Sequence, residues 1–145
     1  MSAEPLCRFE LPWPPSVNRY WRTVVYETAR GPVRRTLVSR EGRTYRRGCA
    51  WRLASLGLAR LHLDGALELV IDAWPPDRRR RDADNIAKAI LDAIEHAGLI
   101  RDDVQVRRLV IEMHEPCTPG RVEVRIRALA GRSKLPRTAA SIGSP

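Results

Sequence analysis

The chain has 145 residues, 43% of them hydrophobic, enough for one packed core and too few for two full domains. Lysine plus arginine number 26 against 17 aspartates and glutamates, and the net charge of +9 points to a polyanionic partner, nucleic acid being the simplest. There is no run of about 18 apolar residues to span a membrane, and Glu4 and Pro5 interrupt the place where a secretory leader would be apolar, so a cytoplasmic protein with no membrane partner is expected.

Charge alone does not fix function, because an arginine-biased genome produces the same balance. Only Lys88 and Lys134 are lysines among the 26 basic residues, so each marks a place where a compact ammonium is kept against that bias. Cys7, Cys49 and Cys117 are odd in number, widely spaced and match no zinc pattern, which predicts reduced thiols.

Arg8 to Leu11 alternates as a first strand, and Pro12, Pro14 and Pro15 stiffen the turn after it. Thr23–Tyr26 and Val33–Val38 are rich in β-formers and flank Gly31-Pro32, which predicts a hairpin. Ser39 is placed to cap a helix, although Gly42 early in it weakens the propensity. Trp51, Leu53, Ala54, Leu58 and Leu61 carry helical spacing across Tyr45 to Leu61. Ala66 to Trp74 reads as a buried strand ended by Pro75-Pro76. Ala83 to Ala97 is the clearest helix, with Asp82 as its cap and Gly98 as its left-handed stop. Val104–Met113 and Arg121–Leu129 read as strands, the second alternating cleanly through Val122, Val124, Ile126 and Ala128. From Ala130 the tail is small and polar, and residues 130–145 are expected to lack fixed structure. The order predicts a single α+β domain over residues 1–129, a mixed β-sheet with two main helices packed on it.

At about 100° per residue, Ile86, Ile90, Ala93, Ile94 and Ala97 share the core face of the Ala83–Ala97 helix. Asp84, Lys88, Asp92 and Glu95 share the opposite face, with Asn85 at its edge. One reading is ordinary: Asp82 caps, Asp84 complements the helix dipole, and Asp84, Lys88 and Asp92 form a solvated ion-pair ladder. The other rests on context. Arg78, Arg79, Arg80 and Arg81 run directly into Asp82 and Asp84, and a second acidic pair, Asp102-Asp103, opens the next strand. A basic run beside clustered carboxylates suits phosphodiester cleavage. Arginines hold the backbone, and carboxylates take a hard cation such as Mg²⁺ that acidifies water and offsets charge on the phosphate. Lys88 would add electrostatic help there.

Three blocks resemble the RusA family of Holliday-junction resolvases: PWPPSVNRYWR near the start, VSREGRTYRR from Val38, and PDRRRRDADNIAKAILDAIEHAGLIRDDVQV from Pro76. They come in the family order, span roughly Arg8 to Leu129, and the last is the most specific. The resemblance implies a homodimeric, Mg²⁺-dependent endonuclease that resolves four-way DNA junctions by paired nicks in recombination and repair, with no organic cofactor. It places the catalytic, metal-holding aspartates at Asp82, Asp84 and Asp103, and the functional lysine at Lys88. The tail beyond Leu129 has no counterpart in it.

One geometric difficulty stands out. A helix over Ala83–Ala97 is about 22 Å long, and Asp103 leaves from its far end. Six extended residues reach back about 20 Å, so either the chain doubles back tightly or Asp103 or Lys88 of a partner subunit completes each site.

Further DNA contacts are expected from Asn18 and Arg19 in the proline-stiffened turn, and from Arg43, Arg46 and Arg47 at the start of the first long helix, unless these are plain solvated surface. Trp13, Tyr20 and Trp21 either stack on unpaired bases at a junction centre or belong to the core, where Trp51 and Trp74 are also expected. The histidines, His62, His96 and His114, show no ligand spacing and are assigned no chemistry. Asp92 and Asp102 either support the metal ligands from behind or serve the helix surface and the turn. The rival functions are a basic module that binds branched or duplex nucleic acid without cutting it, and a less selective structure-specific nuclease.

Overall fold

The computed structural model describes residues 4–129, and the tail expected from Ala130 lies outside them. In chain order the elements are β1 (Cys7–Pro12), α1 (Val17–Tyr20), β2 (Trp21–Thr28), β3 (Gly31–Val38), α2 (Arg40–Ser55), β4 (Leu67–Trp74), α3 (Asp84–His96), a 3₁₀ turn (Asp103–Gln105), β5 (Val106–Met113) and β6 (Arg121–Ala128). Among the described residues no helix is long and apolar enough to cross a membrane.

The main sheet has the order β1-β6-β4-β5. β6 runs antiparallel to both β1 and β4, whereas β4 and β5 are parallel, so the sheet is mixed. Parallel neighbours need a crossover rather than a tight turn, and α3 is that crossover. β4 alternates: Leu67, Leu69, Ile71 and Ala73 are buried, while Glu68, Val70, Asp72 and Trp74 are half-buried on the other face. It is therefore a one-sided strand and not the strand buried on both faces that its composition suggested. Val122, Val124 and Ile126 of β6 join the same inner face. α2 and α3 cover it, and all five residues assigned to the core face of α3 are buried.

In α2 the buried stripe is Gly42, Tyr45, Cys49 and Leu53. Trp51 lies about 200° around the helix from Cys49 and from Leu53, which leaves it 74% exposed where the core was expected. Ser39 caps α2 as predicted, accepting a hydrogen bond from the Gly42 N–H at 3.0 Å. The glycine that weakens this helix is required by packing. A Cβ there would stand 2.5 Å from the Tyr20 carbonyl oxygen and 2.6 Å from Val38 Cγ1. Gly42→Ala is expected to lower stability by about 1–2 kcal/mol, overpacking outweighing the gain in helix propensity. A urea midpoint at or above that of the wild type would show that α1 and β3 yield at this crossing.

The β2–β3 hairpin forms a separate two-stranded sheet, paired from Trp21↔Val38 to Thr28↔Gly31. Its turn is Ala29-Arg30, and Gly31 and Pro32 lie inside β3 instead. Cys7, Cys49 and Cys117 are free. Burial pushes the Cys7 and Cys49 thiols up to about 12, so neither is reactive at neutral pH.

Candidate active site and nucleic-acid interface

The loop after β4 delivers the arginine run to the start of α3. Arg81 is fixed, with its guanidinium 2.7 Å from Asp77 and also bonded to the Asp77 and Arg79 carbonyls. Arg79 and Arg78 make looser pairs at 3.8 Å, with Asp77 and Glu115. Arg80, Arg19 and Arg40 have no carboxylate partner among the described residues.

Asp82 is not the cap of α3. The N-cap is Ala83, in helical conformation, and no side chain bonds the first turn. The Asp82 and Asp84 side chains make no hydrogen bond or ion pair among the described residues, although four arginines precede them. Lys88, one turn on, holds its ammonium 5.5 Å over the Trp21 ring and pairs with neither Asp84 nor Asp92. The ion-pair ladder is therefore not formed. Asp82, Asp84 and Lys88 are all exposed, and none of the three has an ion-pair partner among the described residues.

The far half of α3 is different. Arg46 grips Asp92 with two bonds, at 2.7 and 2.9 Å, and the Tyr20 hydroxyl donates to the same carboxylate. Burial would raise the Asp92 carboxyl, but the bonds from Arg46 and Tyr20 outweigh it and hold it below the usual range. Burial pushes the Tyr20 phenol up, so it stays a donor. Arg46 was expected on DNA; its charge is spent tying α2 to α3. Asp92 is a buttress, and Tyr20 is core, fully buried against Trp21 and Tyr45. Asp92→Asn should cost about 2 kcal/mol, since both partners keep some solvent contact. A carboxylate held low contributes stability that is present above about pH 4 and lost as pH falls through its depressed value. The deficit of the variant should therefore shrink in acid; an equal urea-midpoint deficit at pH 7 and pH 3 would show that the ion pair is not its source.

Asp103 follows Asp102 in the 3₁₀ turn. Asp102 caps this turn, accepting from the Val104 N–H at 2.9 Å. Gln105 fixes it: its amide donates to the Leu63 and Gly65 carbonyls at 2.7 and 3.1 Å and accepts from the Arg101 and Asp102 N–H groups at 2.7 and 3.0 Å. Burial raises the Asp103 carboxyl, as do the hydrogen bond and charge of Asp102 and the charge of Asp92. Burial and the charges of Asp103, Asp102 and Asp92 raise Glu95 likewise. Asp103 thus belongs to an acidic group with Asp102, Asp92 and Glu95, and Asp92 itself lies eight residues, about 12 Å, along α3 from Asp84.

Acidic residues therefore gather in two places: Asp82 and Asp84 at the start of α3, and Asp92 and Glu95 farther along it with Asp102 and Asp103 of the 3₁₀ turn. Among the described residues Asp82, Asp84 and Asp103 do not bring their oxygens within 4.8 Å of one another. The group that does is elsewhere: Asp72, Glu112 and His114, on the sheet face that the helices leave open. His114 Nε2 lies 2.8 Å from Asp72 Oδ1, and its ring stacks on Trp74 with centroids 4.6 Å apart. The other Asp72 oxygen accepts from Arg125 at 3.1 Å, so this carboxylate is already neutralised. Sequence spacing did not reveal the group, because the β4–β5 register places Asp72 opposite Glu112.

A concavity of about 1060 Å³ opens beside Asp82. It gathers three distant segments: Trp13 to Arg19, the first turn of α2, and Pro76 to Ile86. Arg19, Arg79, Arg80 and Arg81 of the expected DNA contacts line it, whereas Asn18 and Arg43 are exposed outside it.

The family model described as "Endodeoxyribonuclease RusA" matches residues 12–127. The crossover junction endodeoxyribonuclease RusA of Escherichia coli strain K12 is 40% identical over 116 residues, 80% of this chain and 89% of that protein. Its counterpart in enterobacteria phage 82 shows the same identity and coverage. That of enterobacteria phage HK97 is 34% identical over 122 residues, 84% of this chain and 94% of that protein. A family match across nearly the whole folded region, and relatives this similar over this length, establish that the chain belongs to the RusA family of endodeoxyribonucleases.

Proposed function

We infer that this protein is a crossover junction endodeoxyribonuclease that resolves four-way DNA junctions by paired nicks, working as a homodimer with Mg²⁺ as its cofactor. The observation that carries the reading is the state of Asp82 and Asp84: two exposed carboxylates with no partner among the described residues, directly after four arginines, in a chain of this family. Carboxylates so placed repel a phosphate backbone unless a cation stands between them. That disfavours the rival, a basic module that holds DNA without cutting it.

The donors suit Mg²⁺, which binds oxygen ligands and is often held by one or two carboxylates with water completing its shell. Asp82 and Asp84 would hold it from one chain and Asp103 would complete the set; when bound, the ion supplies charge neutralisation at the phosphate and a more acidic water. The protein's own groups do the rest. Arg78 to Arg81, with Arg19 and Arg43, seat the backbone by charge and Asn18 by a hydrogen bond, so affinity should fall steeply with salt. Lys88 faces the same side of α3 as Asp84 and stabilises charge that builds on the phosphate.

Because Asp82, Asp84 and Asp103 do not bring their oxygens together among the described residues, two copies sharing their sites account for the family's aspartate set better than one chain alone. β5 supports this arrangement. It is an edge strand, and Leu109 and Val110 are exposed on it, with Val104 69% exposed next to Asp103. A second copy docked there brings Asp103 to the interface, and a two-fold dimer matches a four-way junction with two symmetric strands to cut.

The test is a comparison of labelled four-way junction, flap and linear duplex, each with Mg²⁺ and with EDTA. Paired incision of the junction alone, only with Mg²⁺, is expected. Equal cutting of all three would make the protein an unselective nuclease, and junction binding with no cutting under any condition would make it a binding module.

A further inference from the structure

The concavity beside Asp82 is unlike a phosphate-binding surface. Its rim is cationic, with Arg19, Arg40 and Arg80 exposed and without a carboxylate partner among the described residues, but its less exposed floor is apolar, built from Trp13, Pro15, Tyr45 and Ile86. Phosphates need charge and water and gain nothing from such a floor. The flat face of a base gains a great deal, and in a stacked duplex that face is covered. Its volume, about 1060 Å³, is at the upper end of pockets that enclose small organic ligands, so a nucleotide has room. Arg81, locked to Asp77, holds its guanidinium 5.5 Å over the Trp13 ring, so the indole is braced. The Ser16 hydroxyl and the Asn85 side-chain amide line the pocket and make no hydrogen bond of their own among the described residues. Glu41 and Asp82 are the carboxylates of the lining left without a partner.

We propose that this pocket receives an unstacked nucleotide from the branch point of the junction, its base on the Trp13 and Ile86 floor, its phosphates on the arginine rim and its edge read by Asn85. This rests on the junction-cutting reading and adds to it a source of selectivity. Only a branched or single-stranded structure offers a free base cheaply, since extruding one from intact duplex costs a few kcal/mol. A base captured here fixes which phosphate lies beside Asp82. Asn85, whose amide can both donate and accept, gives the cut a preference for base identity.

The experiment measures binding in EDTA, so that it does not depend on cutting. Junctions with an abasic site at each branch-flanking position in turn are compared with the intact junction and with linear duplex. One abasic position is expected to weaken wild-type binding about tenfold, the loss of one base–aromatic stack. Trp13→Ala should lose about tenfold on the intact junction and nothing more on that abasic one, whereas Trp13→Phe keeps most of the discrimination. Because Trp13 also packs partly on the core, wild-type protein provides a second measurement. 2-Aminopurine at the sensitive position should change its fluorescence on binding, and the same base inside linear duplex should not. Asn85→Ala, at an exposed position, should flatten the dependence on base identity there, bringing affinity for the preferred base down to that for the others. If every abasic junction binds like the intact one, or if Trp13→Ala and the lesion weaken binding additively, the pocket proposal is overturned while junction recognition stands. If wild-type protein binds linear duplex as tightly as the junction, the functional reading fails with it.

Discussion

Asp84→Asn is expected to slow junction cutting by roughly 10³-fold or more while leaving junction affinity in EDTA unchanged or slightly improved. The substitution keeps the shape of the side chain and removes its charge. Asp84 is exposed and has no ion pair or side-chain hydrogen bond among the described residues, so the fold should be indifferent. What goes is part of the oxygen set proposed to hold the metal, whose stabilisation of charge at the phosphate is worth several kcal/mol, or about three powers of ten in rate. Binding moves the other way because a carboxylate repels the phosphate it faces. Glu112→Gln is the matched control. It breaks the Asp72–Glu112–His114 group, the set of three that lies within ligating reach in one chain, and cutting should stay at the wild-type level. Cutting lost in Glu112→Gln and kept in Asp84→Asn would move the metal to the open face of the sheet and sink the present assignment.

The legible parts of the fold were those that follow from period and local chemistry. The inward face of α3, the alternation of β6, the cap at Ser39 and the stop at Gly98 each depend on residues within one or two turns of each other, and each is found. What escaped depends on neighbours distant in sequence. Arg46 meets Asp92, and Asp72 meets Glu112 and His114, through packing and strand register that no spacing encodes. Gly42 looked like a flaw in a helix because its reason, the backbone of Tyr20, lies on another element. Gln105 sat in plain view in the last motif, yet its role in bolting the Asp102-Asp103 turn to residues 63–65 needed the tertiary contact. The geometric difficulty, by contrast, was readable from helix length alone, and among the described residues Asp82, Asp84 and Asp103 do not bring their oxygens within 4.8 Å of one another.

That separation makes mixed dimers the decisive measurement. Suppose each site takes Asp84 from one protomer and Lys88 from the other. In a dimer of one Asp84→Asn chain and one Lys88→Ala chain, one site then carries both lesions and the other carries neither. After exchange at equal amounts about half of all dimers are mixed, so nicking activity should return to roughly a quarter of wild type, counting one working site in half of the dimers. The product is as telling as the rate. A dimer with one working site nicks one strand but cannot deliver paired incisions, so nicked junctions should accumulate while resolved duplexes stay near background. Unshared sites behave otherwise, for every site in every dimer then keeps one lesion and the mixture cuts no better than the two variants apart. The same experiment with Asp103→Asn in place of Lys88→Ala asks whether the acidic group near Asp92 serves the partner's helix end. Restoration by one pair and not the other would identify the residue that crosses the interface. No restoration by either would mean that each chain must close on itself, with the Asp102-Asp103 turn moving to meet Asp84, a movement that the Gln105 bonds to Leu63 and Gly65 oppose.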